Sequence, residues 1–118
     1  MKAKRGDVVL ALFPFATGTT AKKRPVLVIQ ADSYNQKMHN AVVAEITSNT
    51  GRAADPAHLF VDVATPEGQA TGLLRNSLVS CLNLATLHES RFERIIGELS
   101  PALMAHVEKC LKTALELS

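Results

Sequence analysis

The sequence predicts a mainly β protein of the α+β class, a small, strongly curved sheet or barrel closed by one C-terminal helix. Three observations carry that reading. Short runs rich in Val, Ile, Leu and Phe recur between Gly-, Pro-, Asn- and Thr-containing breaks from residue 7 to residue 97. A single segment with helical period follows, opened by Ser100-Pro101. The 118 residues are 47% hydrophobic and 20% charged, which suits one domain over 1–118 and excludes a disordered chain.

Each element has its own signal. Asp7 to Phe13 is an apolar strand stopped by Pro14. The stretch from Pro14 to Arg24 has no period, holds Gly18 and several threonines, and ends in Lys22-Lys23-Arg24. It reads as a long loop of functional type. Pro25 to Ile29 is a second strand with proline at its first position. Asp32 to Met38 is a short helix or turn that Asp32 can cap. Asn40 to Thr47 is a third strand, closed by the turn cluster Ser48-Asn49-Thr50-Gly51. After a loop at 52–57, His58 to Val63 is a fourth strand, and 64–72 is a Gly- and Thr-containing connection. Ser77 to Leu82 and Leu84 to Leu87 are two further apolar stretches, and Phe92 to Gly97 is the last strand.

The terminal helix starts at an N-cap serine followed by proline and runs to about Leu117. Leu103, Val107, Cys110, Leu111, Ala114 and Leu117 recur along one stripe, while His106, Glu108, Lys109 and Glu116 face outward. Phe13 and Phe60 are assigned to the core. Phe15, in the loop, is placed to stack on a nucleic-acid base.

Several function classes drop out. Cys81 and Cys110 lie far apart with no Cys-x-x-Cys, and His39, His58, His88 and His106 are scattered singly. No disulfide framework, metal centre or cofactor is expected, and a reducing compartment is the simpler setting. No apolar run is long enough to span a membrane, and the first one is shorter than a signal peptide's, so the expected location is cytoplasmic. Net charge is +2, unevenly spread: residues 1–52 carry eight basic and three acidic side chains, residues 53–118 five and eight. A basic surface suited to a polyanion follows from the first half.

Arg5-Gly6-Asp7-Val8-Val9, Phe13-Pro14-Phe15, Lys23-Arg24-Pro25-Val26-Leu27-Val28, Ile46-Thr47-Ser48 and Leu99-Ser100-Pro101 occur in that order. Together they resemble the MazF/PemK/Kid family of toxins from bacterial type II toxin–antitoxin systems, over nearly the whole chain. The resemblance implies an SH3-like barrel with a C-terminal helix, of the CcdB/Kid/MazF type, forming a homodimer. It also implies an endoribonuclease (an mRNA interferase) that cuts single-stranded RNA without a metal and inhibits translation and growth. A cognate acidic, MazE-like antitoxin would silence it, operator DNA would be reached only through that antitoxin, and no membrane is involved. Residue by residue, the resemblance makes Arg24 and Thr47 the catalytic pair and gives Ser48 and Ser77 a part in holding RNA. Some relatives carry an Arg-x-Asp triplet where this chain reads Ser80-Cys81-Leu82.

The residues themselves suit that chemistry. If the ribose 2′-hydroxyl attacks the neighbouring phosphorus, leaving a 2′,3′-cyclic phosphate and a 5′-hydroxyl, the protein must move protons and stabilise a charged phosphoryl group. An arginine fork such as Arg24 matches phosphate geometry. Thr47, at a strand end, can orient the phosphate. Lys22 and Lys23 supply phosphate contacts, and Asn49 in the turn adds a polar contact to RNA. Strand alternation places Val43, Glu45 and Thr47 on one face, so Glu45 either pairs with Arg24 or acts as acid or base. The general base is open at this level. So are two rival readings, a catalytically degenerate member that binds RNA or antitoxin and a gyrase poison of the CcdB type. The tail Leu115-Glu116-Leu117-Ser118, with no Trp, speaks against the latter. For the dimer, residues 77–84 and part of the helix are the expected apolar contact.

Overall fold

Six antiparallel strands form one sheet in the spatial order β4-β5-β3-β2-β1-β6 in the computed structural model, which describes residues 1–14 and 21–118. Along the chain these are β1 (Asp7–Pro14), β2 (Ala21–Val28), β3 (Asn40–Thr47), β4 (His58–Val61), β5 (Ser77–His88) and β6 (Phe92–Glu98). The helices are α1 (Asp32–Asn35), α2 (Pro66–Ala70) and α3 (Pro101–Leu115). Phe15 lies outside the described residues.

The sheet buries both faces. Val8, Leu27, Ala44, Ile46, Val61, Val79 and Cys81 pack beneath α3, against Met104, Val107 and Cys110. Their chain neighbours Val9, Val26, Val28 and Val43 turn to the opposite face and join Ala11, Phe13, Ala41, Leu87 and Phe92. Two-sided burial explains why β1 to β3 read as unbroken apolar runs and not as alternating ones. Each Val or Leu side chain so buried contributes about 1.5–3 kcal/mol.

The predicted loop at 14–24 is shorter than expected. Lys22, Lys23 and Arg24 already lie in β2, opposite Phe13, Leu12 and Ala11 of β1. Pro25 is therefore inside β2 and not at its start. The β2–β3 ladder runs only from Val28↔Val43 to Val26↔Glu45, so proline stands where β2 has lost its pairing with β3, a place a strand tolerates it.

The two apolar stretches at 77–82 and 84–87 are one strand with a bulge. Pairing to β3 jumps from Ala44↔Leu84 to Glu45↔Ser80, leaving Cys81, Leu82 and Asn83 unpaired in that ladder. Cys81 N–H donates instead to Ala57 O at 3.1 Å, and the Cys81 side chain enters the helix-side core. β4 ends at Val61, two residues early, and its Phe60 is 42% exposed on the sheet edge, not in the core.

Residues 64–72, expected to be plain connection, contain α2. Thr65 Oγ1 accepts from Gly68 N–H at 3.0 Å and Pro66 opens the helix. Five residues are too few for an apolar period to reveal it. The same device opens α3, where Ser100 Oγ accepts from Leu103 N–H at 3.1 Å and donates to the Glu67 carboxylate, tying the two helix starts together. α3 stops at Leu115 because Glu116 turns left-handed (φ 58°), which sends Leu117 off the stripe to 57% exposure. Asp32 does not cap α1. Ala31 holds the cap position, and Asp32 accepts from Arg5 N–H (2.7 Å) and Asn35 Nδ2 (3.1 Å), bonds that hold its carboxyl below its ordinary value.

Two predictions follow from the packing. Gly72 has φ +74°, and a Cβ there would lie 2.0 Å from Ile96 O on β6, so Gly72→Ala should lower unfolding free energy by about 1–3 kcal/mol in urea melts. Burial pushes the Cys81 thiol up to about 12 and raises Cys110 as well. Neither should react with Ellman's reagent at pH 8 in the native state, and both should in denaturant. Because the native thiol keeps a proton that the unfolded chain releases from about pH 9, stability is complete below that value and falls between about 9 and about 12.

Candidate functional site

The second core cluster gives way, at the end where β2 and β3 part, to a run of polar side chains on the same face. Alternation along β3 keeps Val43, Glu45 and Thr47 on one face, with Val43 in the apolar cluster and the other two half-buried beyond it. Glu45 pairs in register with Ser80, and Ser80 with His58, so three strands deliver one polar row. The next row is Thr47, Leu78 and Phe60.

Arg24, one alternation beyond Val26 on β2, lies against this row. Its Nε is 3.9 Å from Glu45 Oε2, with the side chains 30% and 15% exposed respectively. Asn83, lifted out of the ladder by the β5 bulge, donates through Nδ2 to Glu45 Oε1 and to Ser80 Oγ, both at 3.4 Å. The Glu45 carboxylate is thus held from two sides, by a guanidinium and by an amide.

A groove of about 350 Å³ opens over these residues, lined by Glu45, Thr47, Asn49, Arg52, His58, Leu78, Ser80, Leu82 and Asn83. Thr47 Oγ1 accepts from Asn49 N–H at 3.2 Å, which turns the backbone and leaves the hydroxyl proton to donate. Asn49 Oδ1 accepts from Gly51 N–H at 3.1 Å and extends the turn. Arg52 O, on the following loop, accepts from His58 Nδ1 at 3.1 Å.

A larger groove of about 590 Å³ lies beside it. Lys22, Lys23, Arg24, Arg75 and Arg94 line it together with Ser48, Ser77 and an apolar floor that includes Pro25, Ile46 and Ile96. Among the described residues, no carboxylate lines it. Two of its cations come from the half of the chain with net negative charge, so the division of charge along the sequence understated this surface. Lys23 Nζ reaches out to Glu93 at 2.6 Å. Ser77 is buried and donates its hydroxyl to Arg75 O at 2.8 Å, which shapes the turn at the groove wall. Leu74, 94% exposed, stands on the rim.

The sequence-predicted residues therefore divide. Lys22, Lys23, Arg24, Ser48 and Ser77 line the basic groove, Glu45, Thr47 and Asn49 the polar one, and the Arg24–Glu45 pair joins the two. Sequence reading gave His58, Arg52, Asn83, Arg75 and Arg94 no individual role in catalysis or phosphate binding. They enter through register, bulge and turn, for which local pattern carries no signal. Within the stretch at 77–84 expected at the dimer contact, Ser77 to Cys81 are buried by the chain itself, and Leu82 and Asn83 project well into solvent. Among the described residues, no group of three or more His, Cys, Asp or Glu could hold a metal ion, and no helix is long and apolar enough to cross a membrane.

Comparison with known proteins bears on this arrangement. Residues 4–115 match the family described as PemK-like, MazF-like toxin of type II toxin–antitoxin system. The chain is 36% identical over 119 residues to endoribonuclease MazF6 of Mycobacterium tuberculosis, covering 99% of this chain and 100% of the relative. It is 33% identical over 118 residues to endoribonuclease EndoA of Bacillus subtilis, covering 99% and 97%. A mycobacterial endoribonuclease solved in complex with its cognate antitoxin superposes with a TM-score of 0.74 at 23% identity, covering 98% of this chain and 97% of that one.

Proposed function

The chain belongs to the PemK-like, MazF-like toxins of type II toxin–antitoxin systems, and from that premise we propose that it is an endoribonuclease cutting single-stranded RNA without a metal. The observation that carries the reading is the Arg24 guanidinium, held 3.9 Å from Glu45 at the junction of the basic groove and the groove that contains Thr47.

RNA lies along the basic groove, its phosphates drawn by Lys22, Lys23, Arg75 and Arg94, with Ser48, Asn49 and Ser77 adding contacts. One phosphate reaches the junction. Arg24 neutralises its non-bridging oxygens as the 2′-oxygen attacks, and the Thr47 hydroxyl donates to one of them and fixes its orientation. Glu45 serves through Arg24, since its two oxygens face the guanidinium and the Asn83 amide. The products are a 2′,3′-cyclic phosphate and a 5′-hydroxyl.

The toxin works as a homodimer in the cytoplasm, where loss of mRNA arrests translation. Exposed Leu82 and Leu115 are the apolar groups nearest the surfaces expected to meet. A cognate acidic antitoxin covers the basic groove in competition with RNA, and operator DNA is bound through the antitoxin.

Purified protein incubated with a long unstructured RNA in excess EDTA should give defined cuts with cyclic-phosphate and 5′-hydroxyl ends. Arg24→Ala should slow cleavage by at least about 10²–10³-fold with the fold intact. Folded, antitoxin-free protein that cuts nothing would favour the degenerate reading, with the uncharged Ser80 and Leu82 in the groove as its cause. Binding to a non-cleavable RNA should weaken with salt, and Lys22→Ala should flatten the log–log slope by about 0.7.

A further inference from the structure

We propose that His58 is the base that takes the 2′-hydroxyl proton, a role that rests on the RNA-cleaving reading above. The assignment comes from how the ring is held. Its Nδ1 lies 3.1 Å from the carbonyl oxygen of Arg52. A carbonyl only accepts, so Nδ1 carries the hydrogen, and the neutral ring keeps its lone pair on Nε2. A backbone carbonyl holding one imidazole nitrogen while the other works on substrate is the arrangement a histidine base requires.

Position supports the same role. His58 lines the polar groove with Thr47, and register carries it across Ser80 to Glu45, the residue that meets Arg24. A base on β4 and a charge stabiliser on β2 thus stand on opposite sides of the Glu45–Ser80 pair, with β3 and β5 between them. Glu45 fits the base role less well because its oxygens face Arg24 and Asn83. The charged groups around His58 are Glu45 from β3, and Arg52 and Asp55 from the preceding loop. Asp55 Oδ1 is turned to Ala57 N–H, and β5 contributes the uncharged Ser80 and Asn83.

The step balances as follows. The 2′-hydroxyl proton passes to His58 Nε2 while the 2′-oxygen bonds to phosphorus. The bond from phosphorus to the 5′-oxygen breaks, and that oxygen takes a proton from water. The resulting hydroxide takes the proton back from the imidazolium, and the ring returns to its starting state.

The test compares the parent, His58→Gln and His58→Ala on an RNA with one mapped cleavage site. Thermal melting checks each fold, and a 2′-deoxy analogue measures binding. His58→Gln should lose about 10²–10⁴-fold in kcat with analogue binding within twofold of the parent. The acid-side fall of kcat/KM, where a base becomes protonated, should disappear. Added imidazole should partly restore His58→Ala, which repair of a merely structural role would not do. The loss should persist on a substrate with a bridging 5′-sulfur, a leaving group that needs no acid.

Cleavage by His58→Gln within a few-fold of the parent overturns the proposal. So does a loss confined to binding, or full rescue by the 5′-sulfur substrate, which would make His58 the acid. An acid limb that survives in His58→Gln hands the role to Glu45. A folded parent that cuts no RNA removes the nuclease reading itself, an outcome separate from all of these.

Discussion

The site depends on where the β2–β3 ladder stops. From Val28↔Val43 to Val26↔Glu45 the two strands are zipped and apolar on the face away from α3. Past that point β2 keeps β1 as its neighbour while β3 keeps β5, and the two ribbons diverge. Side chains that would have closed a core line a junction open to solvent. Because alternation persists through the opening, Arg24 and Glu45 fall on the face that Val26 and Val43 occupy one step earlier. A single-residue slip would send both to the α3 side and place Ile46 where Glu45 now lines the polar groove.

Holding Arg24 against Glu45 is costly in isolation and useful in context. An ion pair at 3.9 Å between half-buried groups recovers part of the desolvation it suffers and adds little net stability. What it supplies is orientation, because a guanidinium restrained on one edge presents the rest of its fork in a fixed direction. Asn83 completes the restraint, and it is available only because the β5 bulge frees residues 81–83 from pairing with β3. The bulge also sends Cys81 inward, where burial keeps its thiol protonated and inert. One irregularity in β5 therefore serves the core and the groove together.

How much of this was legible in the sequence differs with the range of the interaction. β1, β3, β6 and α3 were readable from local pattern, since apolar runs, turn residues and a Ser-Pro start are local signals. α2 opens on Thr65-Pro66 as α3 opens on Ser100-Pro101, but it is too short to show a period. The start of β2 was missed because three cations followed by proline resemble a loop, and only pairing with β1 makes them strand. Phe60 was misplaced for a related reason: β4 lies at the sheet edge, and edge position is a property of topology. Within the site, the Glu45–Arg24 contact could be foreseen as one of two options from alternation alone. Asn83, Arg75, Arg94 and His58 could not, since a bulge, a turn and a cross-strand register bring them in.

The serine at position 80 ties these threads together. The Arg-x-Asp triplet that the resemblance sets against Ser80-Cys81-Leu82 would put an arginine here, and the register places this position directly beside Glu45. An arginine there would compete with Arg24 for the same carboxylate in a half-buried setting, where a second cation is not screened by bulk water. With serine, Glu45 meets Arg24 across one side and accepts from the Asn83 amide on the other. The small side chain also keeps open the space between β3 and β4, so that a side chain on β4 shares the groove with Thr47. Serine at position 80 therefore leaves Arg24 and Asn83 as the groups that meet the Glu45 carboxylate.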